Sequence, residues 1–366
     1  GTSINAVSKY FIEAFNVVSM KIAVKATSPT DLHFINGRKY VISDPIKRAA
    51  FYNQCSDGKI NLAYISGSNT VDRFSLASKI AGEFGVVKVP SGRYETSSTI
   101  WLGTQGQSYE FASDSYIVAS SSFNDSYLVS WGCAAYELRD QDFPNSLGED
   151  SAMTNSHIWG GVFDVKGKGG CVKLYHFKGF EIKGCTFYNA KTNGISVEAP
   201  GYELVLHNCY ARNSFSGLKG NVAYNIQTSD CHFHDLISVN YSTGFRVYQS
   251  SGCLTRCHPW TAIKDFSEYY PDSIGFDIAT STGVVLTDCY SDTMQTHYKT
   301  GNQTKMIGCT ALSSRKDVFP IDLYGDVNII DNDKQGVVLI GCMFRCSGTT
   351  IVENSGSVAV TKIGCT

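Results

Sequence analysis

The chain has 366 residues, with 31 Lys plus Arg against 33 Asp plus Glu, and its formal net charge is −2. Such a balanced charge lacks the basic excess of a nucleic-acid-binding protein, so we expect no nucleic-acid partner. No apolar run approaches the length of a membrane-spanning helix, and the first residues lack the pattern of a secretory signal, so we expect no membrane contact. Charged residues make up only 17% of the chain, against 20 Phe and 21 Tyr, which is typical of an all-β protein.

The first part of the chain, residues 1–65, shows no repeat, and we expect it to be an attachment or oligomerisation segment. Residues 70–83 predict a short amphipathic helix with Thr70 as its N-cap residue. A strand that ends in a Pro-Ser-Gly turn follows that helix, within Gly85–Tyr94. From residue 66 to residue 366 the pattern is that of one repeating domain. Its last segment reads as the middle of a repeat, so we expect the repeat to continue beyond residue 366.

Cysteines recur through the second half of the chain at intervals in the twenties and low thirties. Most follow a large apolar residue three positions earlier. A loose period of this length predicts a solenoid, in which each repeat is one coil stacked on the previous one. The recurring cysteines are Cys185, Cys209, Cys231, Cys257, Cys289, Cys309, Cys342 and Cys365.

The coils are predicted to consist of β-strands. Segments such as those beginning at Gly194, Gly244 and Gly275 alternate apolar and polar residues with a period of two, between Gly, Asn, Asp and Ser. No later segment keeps a helical period for three turns. We therefore predict an all-β fold, a right-handed parallel β-helix entered through the short helix, with handedness following the general preference of parallel crossovers.

The cysteines are predicted to be free thiols that form a column inside the solenoid, since a buried thiol packs as a small apolar group. A disulfide framework is disfavoured because the chain is long and its 13 cysteines are an odd number. No Cys-x-x-Cys pair is present, so we expect no metal site and no cofactor. So many free thiols favour folding in a reducing cytoplasm.

Length variation is predicted to concentrate in one turn of the coil. The distance from each strand glycine to the next cysteine is nearly constant, whereas the distance from each cysteine to the following glycine varies widely. The two longest inserts are then residues 232–243 and 258–274 in adjacent coils. Inserts on a repeat scaffold commonly form its binding face.

The second insert combines aromatic rings with carboxylates, as a sugar-binding site requires. The alternative is a loop that packs only on itself. Beside it, outward-facing positions counted from Gly194, Gly217, Gly244 and Gly275 predict a row of Ser196, Lys219, Arg246, Asp277 and His297. Within this row, Arg246 and Asp277 could equally form an ordinary surface ion pair. The predicted substrate-binding residues are Lys219, Arg246, Tyr248, His258, Trp260, Tyr269, Tyr270 and Asp272.

Glycoside hydrolysis usually needs two carboxyl groups, about 5 Å apart for retention and about 6.5–9.5 Å apart for inversion. Four carboxylates fall in the variable turn or the adjoining row: Asp235, Glu268, Asp277 and Asp292. Glu268 is our first choice for the general acid, because the surrounding aromatic residues would raise its pKa. Any of the other three would then act as the base.

Two other functions stay open at this point. A polysaccharide lyase would need a cation to neutralise a uronate carboxylate and a base, roles that Lys219, Arg246, His258 or Tyr269 could take. A non-catalytic adhesin or structural spike would keep the aromatic residues without needing paired carboxylates.

The order of helix, Val87–Tyr94 strand and β-helix resembles the pectate-lyase-like tailspikes of bacteriophages. The segments Cys257–Trp260 and Cys289–Thr293 resemble segments common in that family, although its usual Gly-Asp-Gly and Asp-Asp-Thr run is replaced here by residues 66–70. The resemblance implies a homotrimer on the virion tail, joined to other tail proteins through its N-terminal side. It also implies binding and degradation of a bacterial surface polysaccharide: capsule, exopolysaccharide or O-antigen.

Overall fold

The structure is a computed structural model. It describes residues 32–35, 38–41, 59–65, 67–81, 84–102, 106–132, 153–214, 220–248, 251–261, 273–279, 281–301, 303–312, 326–329, 337–345, 352–353 and 360–365. Within these ranges nearly all regular structure is β-strand, and the strands pair in parallel except for one antiparallel pair, β1 (Leu32–Ile35) with β2 (Arg38–Val41). The parallel strands stack coil upon coil on three faces, which confirms the predicted parallel β-helix.

The three faces follow one another around each coil. Face 1 consists of β3 (Lys59–Asn61), β4 (Val86–Val89), β7 (Ser108–Phe111), β10 (Met153–Trp159), the second halves of β12 (Gly170–Lys183) and β14 (Asn193–His207), β17 (Cys231–His234), β20 (Gly252–Thr255), β23 (Val285–Thr287), β26 (Lys305–Ile307), β29 (Val337–Ile340) and β32 (Val360–Ile363). This face already includes Lys59–Asn61, so the parallel stack starts ahead of the boundary expected at residue 66.

The other two faces complete the coil. Face 2 consists of β5 (Gly92–Thr96), β8 (Ser115–Ala119), β11 (Val162–Asp164), β13 (Thr186–Tyr188), β15 (Tyr210–Arg212), β18 (Ile237–Val239), β21 (His258–Trp260), β24 (Tyr290–Asp292), β27 (Thr310–Leu312) and β30 (Met343–Arg345). Face 3 consists of β6 (Ile100–Leu102), β9 (Tyr127–Gly132), the first halves of β12 and β14, β16 (Val222–Ile226), β19 (Thr243–Val247), β22 (Ile274–Asp277), β25 (Thr296–Thr300), β28 (Asp326–Ile329) and β31 (Val352–Glu353).

The predicted helix is present as α1 (Thr70–Ala81) and packs over the first coils. Phe74 is fully buried, with its ring 5.8 Å from that of Tyr94 and 6.4 Å from that of Tyr109. The N-cap is Asn69, not Thr70, because the Asn69 side-chain oxygen accepts from the Asp72 N–H at 2.9 Å. A helix in this position covers apolar surface that the first coils would otherwise expose.

The corner between faces 1 and 2 is built in the same way in successive coils. A residue with positive φ, such as Asn208 (52°) or Asp288 (50°), turns the chain, and the next residue points inward. That inward residue is usually cysteine. The Cys289 thiol donates to the Leu254 carbonyl at 3.4 Å, which satisfies a backbone acceptor of the preceding coil. All ten cysteines in the described ranges are free thiols, and burial raises the pKa of the Cys289 thiol.

One member of the predicted cysteine column is wrong. Cys231 is the first residue of β17 and lies opposite Gly252, so it is not at a corner. The corner of that coil is Asp235 followed by the buried Leu236. A leucine fills the inward position in this coil, and a period defined by cysteines alone does not detect it.

The predicted insert at 232–243 is wrong for the same reason. Residues 231–234 and 237–239 are the regular strands β17 and β18. The variable connection runs from face 2 to face 3. It is short after Val239 and Asp292. It is long after Trp260, where β22 resumes only at Ile274, and equally long after Leu312, where β28 resumes only at Asp326.

The interior of face 3 holds a stack of aromatic rings. The successive centroid distances between Tyr224, Phe245, Phe276 and Tyr298 are 4.8, 5.0 and 5.0 Å, and the rings are nearly parallel. All four are buried, so each ring removes a large apolar area from water, and Phe245 and Phe276 each stack on a ring in the coil on either side.

We predict that Phe276→Ala lowers the free energy of unfolding by about 3–5 kcal/mol, because it leaves a cavity between two stacked rings. Chemical denaturation of the variant and the wild type measures this difference. Leu76→Ala, on the exposed side of α1 at 41% exposure, is the control and should cost less than about 1 kcal/mol. Equal losses in the two variants would contradict the stacked core.

Candidate functional site

The long connection between faces 2 and 3 is anchored at both ends. Residues 262–272 lie outside the described ranges, and with them Glu268, Tyr269, Tyr270 and Asp272. At one end the Thr261 N–H donates to Thr293 Oγ1 at 3.1 Å, and the Thr293 hydroxyl donates to the Thr261 carbonyl at 2.7 Å. At the other end the Ser273 hydroxyl oxygen accepts from the Gln295 N–H at 3.0 Å. The next coil therefore holds both ends of the connection in place.

Three predicted residues meet beside this connection, on the outer side of face 2. Trp260 in β21 lies directly opposite Asp292 in β24. Next to them the rings of His258 and Tyr290 stack with centroids 4.5 Å apart. All four side chains are half-buried. This block, His258, Trp260, Tyr290 and Asp292, is called the insert edge below.

At the insert edge, the carboxylate of Asp292 lies beside two titratable groups, Tyr290 and His258, whose pKa values are shifted. Burial raises the pKa of Tyr290 to about 12, and the Asp292 carboxylate adds to this effect. Burial lowers the pKa of His258, against an opposing contribution from Asp292. At neutral pH the phenol is therefore protonated and the imidazole is neutral, and both can exchange hydrogen bonds with hydroxyl groups.

Arg246 and Asp277 lie around the corner on face 3. They are register partners on β19 and β22, and Arg246 Nε is 3.3 Å from Asp277 Oδ2. The Arg246 guanidinium also lies 5.8 Å from the centre of the Tyr248 ring. The ion pair that was the alternative reading of these residues is thus present, and the aromatic ring of Tyr248 lies beside it.

The outward row on face 3 differs from the predicted one in two members. It runs through Ser196, Asn225, Arg246, Asp277 and Lys299. Lys219 lies outside the described ranges. His297 is fully buried, with Nδ1 2.9 Å from Ser291 Oγ, and burial lowers its pKa to about 4. The prediction took Gly217 as the repeat position, whereas Ala223 of β16 occupies it.

Asp235 lies apart from the other predicted carboxylates, at the corner between faces 1 and 2. Arg256 Nε and Nη2 each donate to one of its carboxylate oxygens at 2.7 Å, and His234 Nδ1 is 3.0 Å from Oδ2. The hydrogen bonds from Arg256 and His234 hold the pKa of Asp235 well below its usual range. A carboxylate engaged in this way is a poor proton donor or acceptor.

A further polar cluster on face 1 was not anticipated from the sequence. The face 1 strands β7, β10, β12 and β14 place charged, imidazole and indole side chains next to one another on the outer surface. Aligning these strands on their inward residues, Tyr109, Ile158, Ile182 and Leu206, would have revealed it. We call this group the Trp159 cluster, and it consists of Glu110, His157, Trp159, Glu181, Lys183 and His207.

Within the described ranges no group of three or more His, Cys, Asp or Glu side chains is arranged to hold a metal ion. The described helix is too short and too polar to span a bilayer.

Comparison with known proteins identifies the fold. No family model and no curated protein sequence matches the chain. Among solved structures, open reading frame 18 of a Geobacillus virus matches with a TM-score of 0.59 at 12% identity, over 92% of this chain and 66% of that one. The tailspike protein of Escherichia coli bacteriophage HK620, in complex with a pentasaccharide, matches with a TM-score of 0.57 at 12% identity, over 100% of this chain and 72% of that one. The chain has the fold of phage tailspikes.

A third similar structure is the enzymatically active domain of tailspike protein 4 of bacteriophage CBA120. It matches with a TM-score of 0.54 at 15% identity, over 95% of this chain and 48% of that one. The chain therefore spans about two thirds of the Geobacillus virus structure and about half of the CBA120 structure. The expected tailspike-like parallel β-helix is confirmed.

We predict that the Asp235–Arg256 pair is structural. Asp235→Asn should slightly lower stability at neutral pH and leave polysaccharide binding and cleavage unchanged. Because the folded-state pKa of Asp235 is depressed, its contribution is complete above the unfolded-state pKa of about 3.9 and is lost as the pH falls through the folded-state value. Denaturation of the variant and the wild type at neutral and strongly acidic pH measures this convergence. A large loss of cleavage in the variant would instead place Asp235 in the active site.

Proposed function

We propose that the chain is a phage tailspike whose β-helix binds and cleaves a bacterial surface polysaccharide by glycoside hydrolysis. The observation that carries this proposal is the insert edge, where Trp260 and Asp292 lie side by side at the foot of the long connection. The tailspike fold supports it. So do the names of two similar structures, one in complex with a pentasaccharide and one described as an enzymatically active domain.

The insert edge provides the groups that sugar binding requires. The indole of Trp260 offers an apolar face to a pyranose ring. The neutral His258 and the protonated Tyr290 can exchange hydrogen bonds with sugar hydroxyls. Arg246 and Tyr248 extend the polar surface around the corner onto face 3, so that a chain of several sugars could contact both faces.

Hydrolysis would proceed with two carboxyl groups in opposite protonation states. Glu268 in the connection is assigned as the acid that gives its proton to the glycosidic oxygen as the bond to the anomeric carbon breaks. Asp292 is assigned as the base that accepts a proton from the attacking water, and Asp277 is the second choice for this role. One water is consumed for each bond cleaved, so each new reducing-end fragment contains its oxygen.

We predict that wild-type protein, incubated with capsule and lipopolysaccharide preparations from a panel of hosts, releases oligosaccharides that have gained water. Glu268→Gln and Asp292→Asn should each reduce the rate at least about 100-fold, because general acid–base groups typically contribute that much or more. Both variants should keep binding the polymer. Mass spectrometry and a pull-down on the same polymer measure cleavage and binding separately.

The matched control is Asp288→Asn, which changes a carboxylate at the corner that precedes the same face 2 strand, and it should cleave normally. Fragments with an unsaturated, ultraviolet-absorbing end would reject hydrolysis in favour of a lyase. A polymer that binds without being cut would reject both in favour of an adhesin.

We also propose that the chain assembles as a homotrimer on the virion tail and acts at the host cell surface. An aliphatic row on face 1, Ile307, Ile340 and Ile363, is 37%, 37% and 55% exposed, and packing between chains would remove this surface from water. Light scattering should give three times the 40.0 kDa mass of one chain. Ile340→Asp should shift the population toward monomer, whereas a wild-type monomer would contradict the proposal.

A further inference from the structure

The Trp159 cluster holds an exposed indole in a fixed orientation. Trp159 is 38% exposed, yet its Nε1–H donates to Glu181 Oε2 at 2.7 Å. Its ring stacks on that of His157, with centroids 3.9 Å apart and planes 22° apart. One side of the indole is thus covered, its only polar atom is satisfied, and part of its surface remains open to solvent.

The groups that fix the indole are themselves held. Glu181 Oε1 is 2.8 Å from His207 Nε2, so one carboxylate joins the indole to the imidazole of the next strand. Burial raises the pKa of Glu181, but the hydrogen bonds from His207 and Trp159 outweigh it and the net shift is downward. Burial lowers the pKa of His157, which therefore stays neutral beneath the indole at neutral pH. The ring position is consequently set before any ligand arrives.

Charged groups lie on both sides of the Trp159 ring along the axis of the β-helix. On one side, Glu110 in β7 is the register partner of Trp159 in β10. Its carboxylate forms an ion pair with Lys59, with Nζ 2.8 Å from Oε1. On the other side, Lys183 is the register partner of Trp159, and its ammonium lies over the indole ring, 5.9 Å from the ring centre. Two carboxylates and one ammonium therefore surround the exposed part of the indole.

This composition argues against a contact between protein chains. The centres of protein interfaces are depleted in charged residues, whereas Glu110, Glu181, Lys183 and His207 crowd this indole. The aliphatic row at Ile307, Ile340 and Ile363, further along the same face, has the composition that such a contact favours. Catalysis is also disfavoured, since both carboxylates are held in hydrogen-bonded or ion-paired form rather than poised to donate a proton.

We propose that the Trp159 cluster is a second saccharide-binding site. The apolar face of a neutral pyranose stacks on Trp159, and the carboxylates of Glu110 and Glu181 accept hydrogen bonds from its hydroxyl groups. Trp159 lies on face 1, four coils before the Trp260 strand, whereas the insert edge lies on face 2. The site holds the polymer without cutting it. The inference stands whether or not the chain cleaves its polymer.

Saturation-transfer NMR on the full chain tests the site, with D-glucose, D-galactose, N-acetyl-D-glucosamine and L-rhamnose as separate probes. At least one of them should receive saturation at its ring C–H protons. Trp159→Ala should weaken that probe's binding by about tenfold or more, the equivalent of one good aromatic contact. Glu181→Gln should weaken it less, because the amide keeps one acceptor. Tyr116→Ala, which removes an exposed aromatic ring on face 2, is the matched control and should leave it unchanged. Trp260→Ala reports any share of the probe that binds at the insert edge.

Each other outcome overturns the inference. No transfer to any probe in the wild type, or equal transfer in Trp159→Ala, would show that the indole binds no such sugar. Loss in Trp260→Ala alone would move the bound sugar to the insert edge. A smaller assembly for Trp159→Ala by light scattering, without sugar binding, would make the cluster a contact with a second copy. Cleavage assays on the same samples report separately on the hydrolase proposal.

Discussion

The corner between faces 1 and 2 is the constraint on which the rest of the structure depends. Each coil turns there through one residue of positive φ and then buries a small or medium-sized apolar side chain. Asparagine and glycine adopt this conformation at little cost, as at Asn208 and Gly308. Because the corner has the same length in successive coils, faces 1 and 2 stay in register, and thiols such as Cys309 bond to carbonyls of the preceding coil.

Because this corner has a constant length, the coils differ in length at other connections. The connection from face 2 to face 3 can lengthen without disturbing the stacked strands, provided that its two ends are anchored, as Thr293 anchors Thr261. A long connection is thereby added to a rigid surface, and the insert edge forms at its foot. The Trp159 cluster arises differently, from regular strands whose outward side chains meet at a spacing of about 4.8 Å per coil.

Much of the fold follows from local sequence pattern. Period-two alternation and the recurring cysteines were sufficient to predict a parallel β-helix, and the apolar spacing between Val71 and Ala81 predicted its helix. Register was harder to predict, because a column can change residue type. Leu236 replaces cysteine at one corner, and Ala223 replaces glycine on one strand. The first substitution led to the wrong insert at residues 232–243. The second led to Lys219 being predicted in the outward row, at the position that Asn225 occupies.

The two candidate sites also differ in whether local sequence pattern or strand register reveals them. Trp260 and Asp292 follow from an unusually long connection, a feature of the sequence that needs no register. Glu110, Trp159 and Glu181 come from three different strands, and the first two are far apart in the sequence. Their proximity follows only from the pairing of β7, β10 and β12. No pattern within any one strand reveals it.

The most direct test of the account is a structure of the Glu268→Gln protein with an oligosaccharide of the host polymer bound. We predict that sugar rings lie over Trp260, with the glycosidic bond between the residue 268 side chain and the Asp292 carboxylate. A saccharide bound with its scissile bond against another surface, and the insert edge empty, would contradict it.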